Sequence, residues 1–265
     1  MLLIFTVFLF IGLFSGFLAG LFGVGGGIIL VPSLLISFKY FNFPQDYLMH
    51  SVLATSLSCI IITSLNSSYT HLQKTSLDKP VFLNITLGIT LGASSGGFVV
   101  KFLTSHQLQI FFVLFLLLVT YKMFKGFNLP AEQRHIPKPI YWFMGFIIGL
   151  KSALLGVGGG TLSVPLLNWT GKKMQDAVAI SSTIGIPISL IGTIAYIISG
   201  WNISDLPDYS LGYVYLPAFA SISLATTFSS RFGANLSHRL SHEKLKFVFK
   251  YFLLIILTKS IYNII

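Results

Sequence analysis

Apolar residues occupy this chain in long blocks separated by short polar joints. Residues 2–22 form a first apolar segment, a glycine-rich turn at Gly23–Gly27 breaks it, and residues 28–41 make a shorter apolar arm bent at Pro32. Together they predict a helical hairpin. Apolar segments follow at about 48–69, 80–100 and 107–124, and a polar linker at 125–139 closes this series. A second hairpin at 140–169 and segments at about 176–199, 210–232 and 245–262 repeat the plan. Blocks long enough to cross a hydrocarbon core of about 30 Å thus recur along the whole chain.

The repetition extends to individual residues. GLFGVGGGIILVPSLL at Gly20–Leu35 recurs as ALLGVGGGTLSVPLL at Ala153–Leu167. At an offset of 133, Gly12, Gly16, Gly23, Gly25, Gly26, Gly27, Val31 and Pro32 fall on Gly145, Gly149, Gly156, Gly158, Gly159, Gly160, Val164 and Pro165. Ala54-Thr55-Ser56 matches Ile180-Ser181-Ser182 at an offset of 126, and Gly96, Lys101, Leu103 and Leu108 match Gly233, His238, Leu240 and Leu245 at 137. The expected organisation is a first transmembrane repeat at 1–124, a linker at 125–139 and a second repeat at 140–265.

A hairpin that enters and returns, followed by three crossings, gives each repeat an odd number of net crossings. The halves are then inverted relative to each other. On that arrangement one side collects twelve cations: Lys74, Lys79, Lys122, Lys125, Arg134, Lys138, Lys172, Lys173, Arg231, Arg239, Lys244 and Lys246. The other side holds Lys39, Lys101 and Lys259, with Asp205 and Asp208 beside them. A parallel arrangement divides the same charges almost evenly, so inverted repeats with the basic side cytoplasmic fit best.

Composition narrows the class. Only 9% of the 265 residues are charged and 54% are apolar, against about a quarter charged in soluble domains. The net charge of +10 sits in the joints, where it orients the chain and meets lipid headgroups instead of nucleic acid. One cysteine, Cys59, excludes an intrachain disulfide and a cysteine-built metal cage. The N-terminus lacks the basic residue and cleavage site of a signal peptide. No nucleotide-binding motif is present, and no cofactor is implied.

Glycines in a row cost helix stability, about 1 kcal/mol each relative to alanine, so the two GVGGG runs need a reason. One is close helix packing, the natural reading of Gly12 and Gly16. The other is an anion site: Gly25, Gly26 and Gly27, and likewise Gly158, Gly159 and Gly160 with Thr161, stand where a new helix begins and its first N–H groups are free. Inverted repeats would bring both ends to one place. Thr55, Ser56, Ser181 and Ser182 could add uncharged donors there, although hydroxyls in membrane helices also bond to the preceding turn. Lys151 lies about 18 Å along a helix from Pro139, either near mid-depth beside the anion or snorkelling to a surface. His50 is a candidate carrier of a coupling proton. His238 and His242 lack the glutamate of a zinc motif, and Gly92-Ala93-Ser94-Ser95-Gly96 has no histidine base within a segment, so no catalytic or metal-binding residues are assigned.

The doubled GVGGG…VP motif with a following Thr-Ser or Ser-Ser pair resembles the TauE/SafE sulfite-exporter family, also called the toluene sulfonate uptake permeases. The likeness covers nearly the whole chain. It implies an all-α, multi-pass inner-membrane transporter of small sulfur-containing anions such as sulfite or organosulfonates, and not an enzyme. The expected function is secondary transport by alternating access, with an anion channel as the rival reading. Expected partners are the anion, membrane lipid and a coupling proton or cation.

Overall fold

The computed structural model describes residues 2–22, 25–73, 77–125, 136–170, 174–237 and 242–262. Most of the 125–139 linker lies outside them, as do Lys74, Arg134, Lys172, Lys173, His238 and Arg239 from the charge and repeat arguments. The described chain is a helical bundle in two series of five. The first comprises α1 (Leu2–Phe22), α2 (Gly27–Tyr40), α3 (Leu48–Leu72), α4 (Lys79–Val99) and α5 (Ser105–Lys125). The second comprises α6 (Lys138–Leu155), α7 (Gly160–Trp169), α8 (Met174–Gly200), α9 (Leu216–Ser237) and α10 (His242–Tyr262).

Five of these helices are long and apolar enough to cross a membrane: those containing Leu3–Leu21, Gln45–Leu72, Lys79–Phe102, Ser105–Lys122 and Asp176–Gly200. The protein is therefore a multi-pass membrane protein. The returning arms are different. At 1.5 Å per residue, α2 with 14 residues reaches about 21 Å and α7 with 10 about 15 Å, so neither crosses. α9 has the length, and its hydroxyls turn inward: Ser221, Thr226 and Ser229 are buried and donate to the carbonyls of Pro217, Ser223 and Gly12.

Local chemistry sets the helix ends. Asp78 caps α4, accepting from the Val81 N–H at 3.2 Å, with Pro80 in the first turn. Gly156 ends α6 with φ 62°, and the Val157 N–H donates back to Ser152 O at 3.2 Å. Residues 210–215, expected to open a spanning segment, instead form a short hairpin of β1 (Ser210–Leu211) and β2 (Val214–Tyr215). Positive φ at Tyr209 and Gly212 turns the chain there, and the helix starts only at Leu216, just before Pro217.

Small residues decide which helices meet. Gly12 lies against Ile222 and Ala225, Gly16 against Thr226 and Ser229, and Gly233 against Phe17 and Leu21, so α1 and α9 run side by side in the same direction. Likewise Gly88 meets Trp142, Gly92 meets Phe146, and Gly149 meets Ile89 and Ala93, so α4 and α6 are parallel. In contrast, α3 and α8 are antiparallel: Ser68 pairs with Thr183, Ser64 lies by Gly185, and Leu57 lies by Gly192. A methyl group on Gly149 would sit 2.5 Å from Ile89 O and 2.9 Å from Ala93 N. Backbone cannot yield as a side-chain tip can, so Gly149→Val is expected to cost roughly 1–3 kcal/mol, seen as a lower thermal midpoint in detergent.

Candidate anion site

The two glycine-rich turns touch. A methyl group on Gly25 would lie 3.5 Å from the Cα of Gly158, and one on Gly27 would lie 2.6 Å from the Cα of Val157. Only residues without a side chain allow that approach. Gly26 has φ 82° and its carbonyl accepts from Ile29 and Leu30, opening α2; the Gly159 carbonyl accepts from Leu162 and Ser163, opening α7.

Beside this contact is a small cavity of about 10 Å³, partly open to the surroundings, lined by Gly25, Ser64, Ser67, Gly158, Gly159, Gly160, Ser181, Ser182 and Gly185. It has room for about one water, so a bound anion needs the turns to part slightly. Four hydroxyls and the start of α7 therefore converge on one space. The first amides of a helix have no carbonyl partner within it, so the Gly160 end of α7 adds backbone donors and the positive end of a helix dipole. Ser163 holds this turn to α8, bonding Gly159 O and Ser181 Oγ at 2.6 Å each. Ser182 donates to the carbonyls of Val178 and Ala179 in its preceding turn. Ser64 and Ser67 make no hydrogen bond among the described residues.

Of the residues expected at a site, Gly25, Gly158, Gly159, Gly160, Ser181 and Ser182 line the cavity. Gly26 sits just behind, facing Ala19, and Gly27 seals the contact between the turns. Thr55 and Ser56 are fully buried elsewhere: Thr55 Oγ1 accepts from the Tyr215 N–H at 3.1 Å, and Ser56 donates to Gly156 O at 2.8 Å. Lys151 is exposed on α6 and does not line the cavity. The Thr161 side chain lies outside the described set.

A profile for the sulfite exporter TauE/SafE family matches residues 8–260. The chain belongs to this family. A probable membrane transporter protein of Haemophilus influenzae is 32% identical over 250 residues, covering 94% of each chain. One from Methanocaldococcus jannaschii is 29% identical, covering 92% of this chain and 91% of its own. A third, from Bacillus subtilis, is 26% identical over 98% of both. No solved structure matches the chain.

Within this TauE/SafE protein, Ser64, Ser67 and Gly185 are the lining residues that motif reasoning missed. Their signal was present in the sequence. Ser64, Ser67 and Ser68 fall at helical spacing on one face of α3, and Ser181 and Gly185 do so on α8. Thr55, by contrast, is a fold residue. Thr55→Val leaves the Tyr215 N–H without an acceptor and is expected to cost roughly 1–3 kcal/mol, lowering the thermal midpoint with unchanged substrate KM. A tenfold rise in KM at an unchanged midpoint would instead put substrate at Thr55.

Proposed function

We propose that this chain is a secondary transporter of small anions, sulfur-containing ones such as sulfite or an organosulfonate, working by alternating access in the inner membrane. The observation that carries the reading is the cavity between the two glycine-rich turns, where hydroxyls and helix-start amides offer several donors. Such a site can hold an anion and still release it, because no single contact is strong. The family supports transport as the activity, and its description supplies the sulfur anion.

We also infer that the two halves are inverted repeats. The matched helices α3 and α8 are antiparallel, and α1 packs on α9 as its counterpart α6 packs on α4. Both relations follow from a two-fold axis in the membrane plane. The cavity lies toward the C-terminal end of α3, about 12 Å from Leu72, and the N-terminal end of α8, about 10 Å from Met174. That is the basic, cytoplasmic end of the bundle.

Flux of radiolabelled sulfite, sulfate, thiosulfate and a small organosulfonate into proteoliposomes, with and without a pH gradient, tests this reading. Saturable, selective uptake with counterflow is the expected result. Flux that does not saturate, with large unitary currents, would indicate a channel. No movement of any of the four by folded protein would remove the sulfur anion.

A further inference from the structure

The end of the bundle opposite the cavity is closed by a layer of aromatic rings. Phe38 stacks on Phe43 at 4.0 Å, Tyr215 meets both edge-on, and Phe8 packs against Phe38 and Tyr215. Beside them Tyr213 of the β-hairpin stacks on the His50 ring at 4.9 Å, with Tyr47 and Tyr196 at its edges. Tyr196 in turn donates to Ala153 O at 3.1 Å, next to the second glycine-rich turn.

His50 ties this layer together. Its Nε2 lies 3.2 Å from Val100 O and 3.1 Å from Leu103 O, the turn between α4 and α5. Two carbonyls can only accept, so Nε2 carries the hydrogen. Nδ1 is buried and has no hydrogen-bond partner among the described residues. His50 itself is 4% exposed. One imidazole thus joins the start of α3, the α4–α5 turn and the hairpin before α9.

We propose that His50 is the proton-binding latch of the gate that closes the cavity from this side. The inference rests on the alternating-access reading. A proton taken up from water at Nδ1 leaves Nε2–H in place and creates an imidazolium with a second N–H. In the closed layer that N–H has no acceptor and the charge has no counter-ion, so the protonated state favours the arrangement in which water reaches the ring.

The groups facing the imidazole do not compensate. Tyr47 and Tyr213 present rings, and burial pushes the Tyr213 hydroxyl up to about 12, so it stays neutral. Lys101 on the α4–α5 turn lies over Phe98, and Asp46, His106, Asp205 and Asp208 are exposed. The ring of Tyr213 attracts a cation, but less than water does. At the matched position of α8 stands Asp176, so each long axial helix begins with a titratable group at its own end of the bundle.

Hydrogen–deuterium exchange of the protein in lipid nanodiscs, without substrate, tests the latch separately from the transport reading. Lowering pH from about 7.5 to about 5.5, across the histidine range, is expected to raise exchange of residues 209–216 roughly tenfold after correction for the intrinsic amide rate. His50→Gln keeps a donor near Nε2 and cannot titrate; its exchange should not respond. A variant combining Asp46→Asn, His106→Gln, Asp205→Asn and Asp208→Asn alters only exposed groups and should keep the wild-type response. The proposal is overturned by a flat wild-type profile, a response surviving in folded His50→Gln, or loss of the response in the four-site variant.

Discussion

Replacing Gly159 with valine is expected to lower anion flux about a hundredfold while leaving folded protein in the membrane. The Gly159 backbone is not in the left-handed region, so a side chain meets no conformational penalty there. Its Cβ would lie 2.7 Å from Cδ1 of Ile188, the tip of a flexible side chain that can rotate away. The added bulk would press on Ile184 and Ile188 and push the start of α7, with its first amides, out of place beside the cavity. A hundredfold loss corresponds to about 2.7 kcal/mol, the scale of one or two charge-assisted hydrogen bonds. Gly26→Val is a poorer probe, since φ 82° is strained for any β-branched residue and Ala19 lies 3.2 Å away. Initial-rate uptake, normalised to folded protein by size-exclusion chromatography, gives the answer.

The second large effect should come from Ser64 and Ser67, the two lining hydroxyls that make no hydrogen bond among the described residues, whereas Ser181 is bonded to Ser163. A hydroxyl donating to an anion contributes about 1.5–3 kcal/mol, so each alanine should raise the substrate Kd roughly ten- to a hundredfold. The double variant should lose most measurable affinity. Ser182→Ala should do less, because that hydroxyl is committed to Val178 and Ala179. Wild-type affinity in Ser64→Ala with a large loss in Ser182→Ala would reverse this assignment. Calorimetric or scintillation-proximity titration separates the cases.

Much of the architecture was legible in the sequence because membrane segments announce themselves by length and hydropathy. The helical hairpins, the three long helices after each and the repeat of the GVGGG turns all came from pattern alone. What failed was local. Residues 210–215 are apolar enough to join a span, yet Tyr209 and Gly212 turn the chain and Tyr215 N–H goes to Thr55. The Thr55-Ser56 pair aligned with Ser181-Ser182, and both pairs make fold contacts, but only the second also lines the cavity. Alignment of repeats conveys position, not hydrogen-bond partners. Lys151 shows a related limit, since its depth along α6 could be counted but its exposed azimuth depended on α4 covering the opposite, glycine-bearing face. The helical spacing of Ser64 and Ser67 could be read from the sequence, but the surface they meet could not, because it depends on the antiparallel pairing of α3 with α8.

The most direct test of the central claim is equilibrium binding of radiolabelled sulfite to the purified protein and to its Gly159→Val variant. Saturable binding to the wild type at one site per chain is expected, with loss of that binding in a variant that elutes and melts as folded protein. Equal binding by both proteins would contradict the claim and place the anion somewhere other than between the glycine-rich turns.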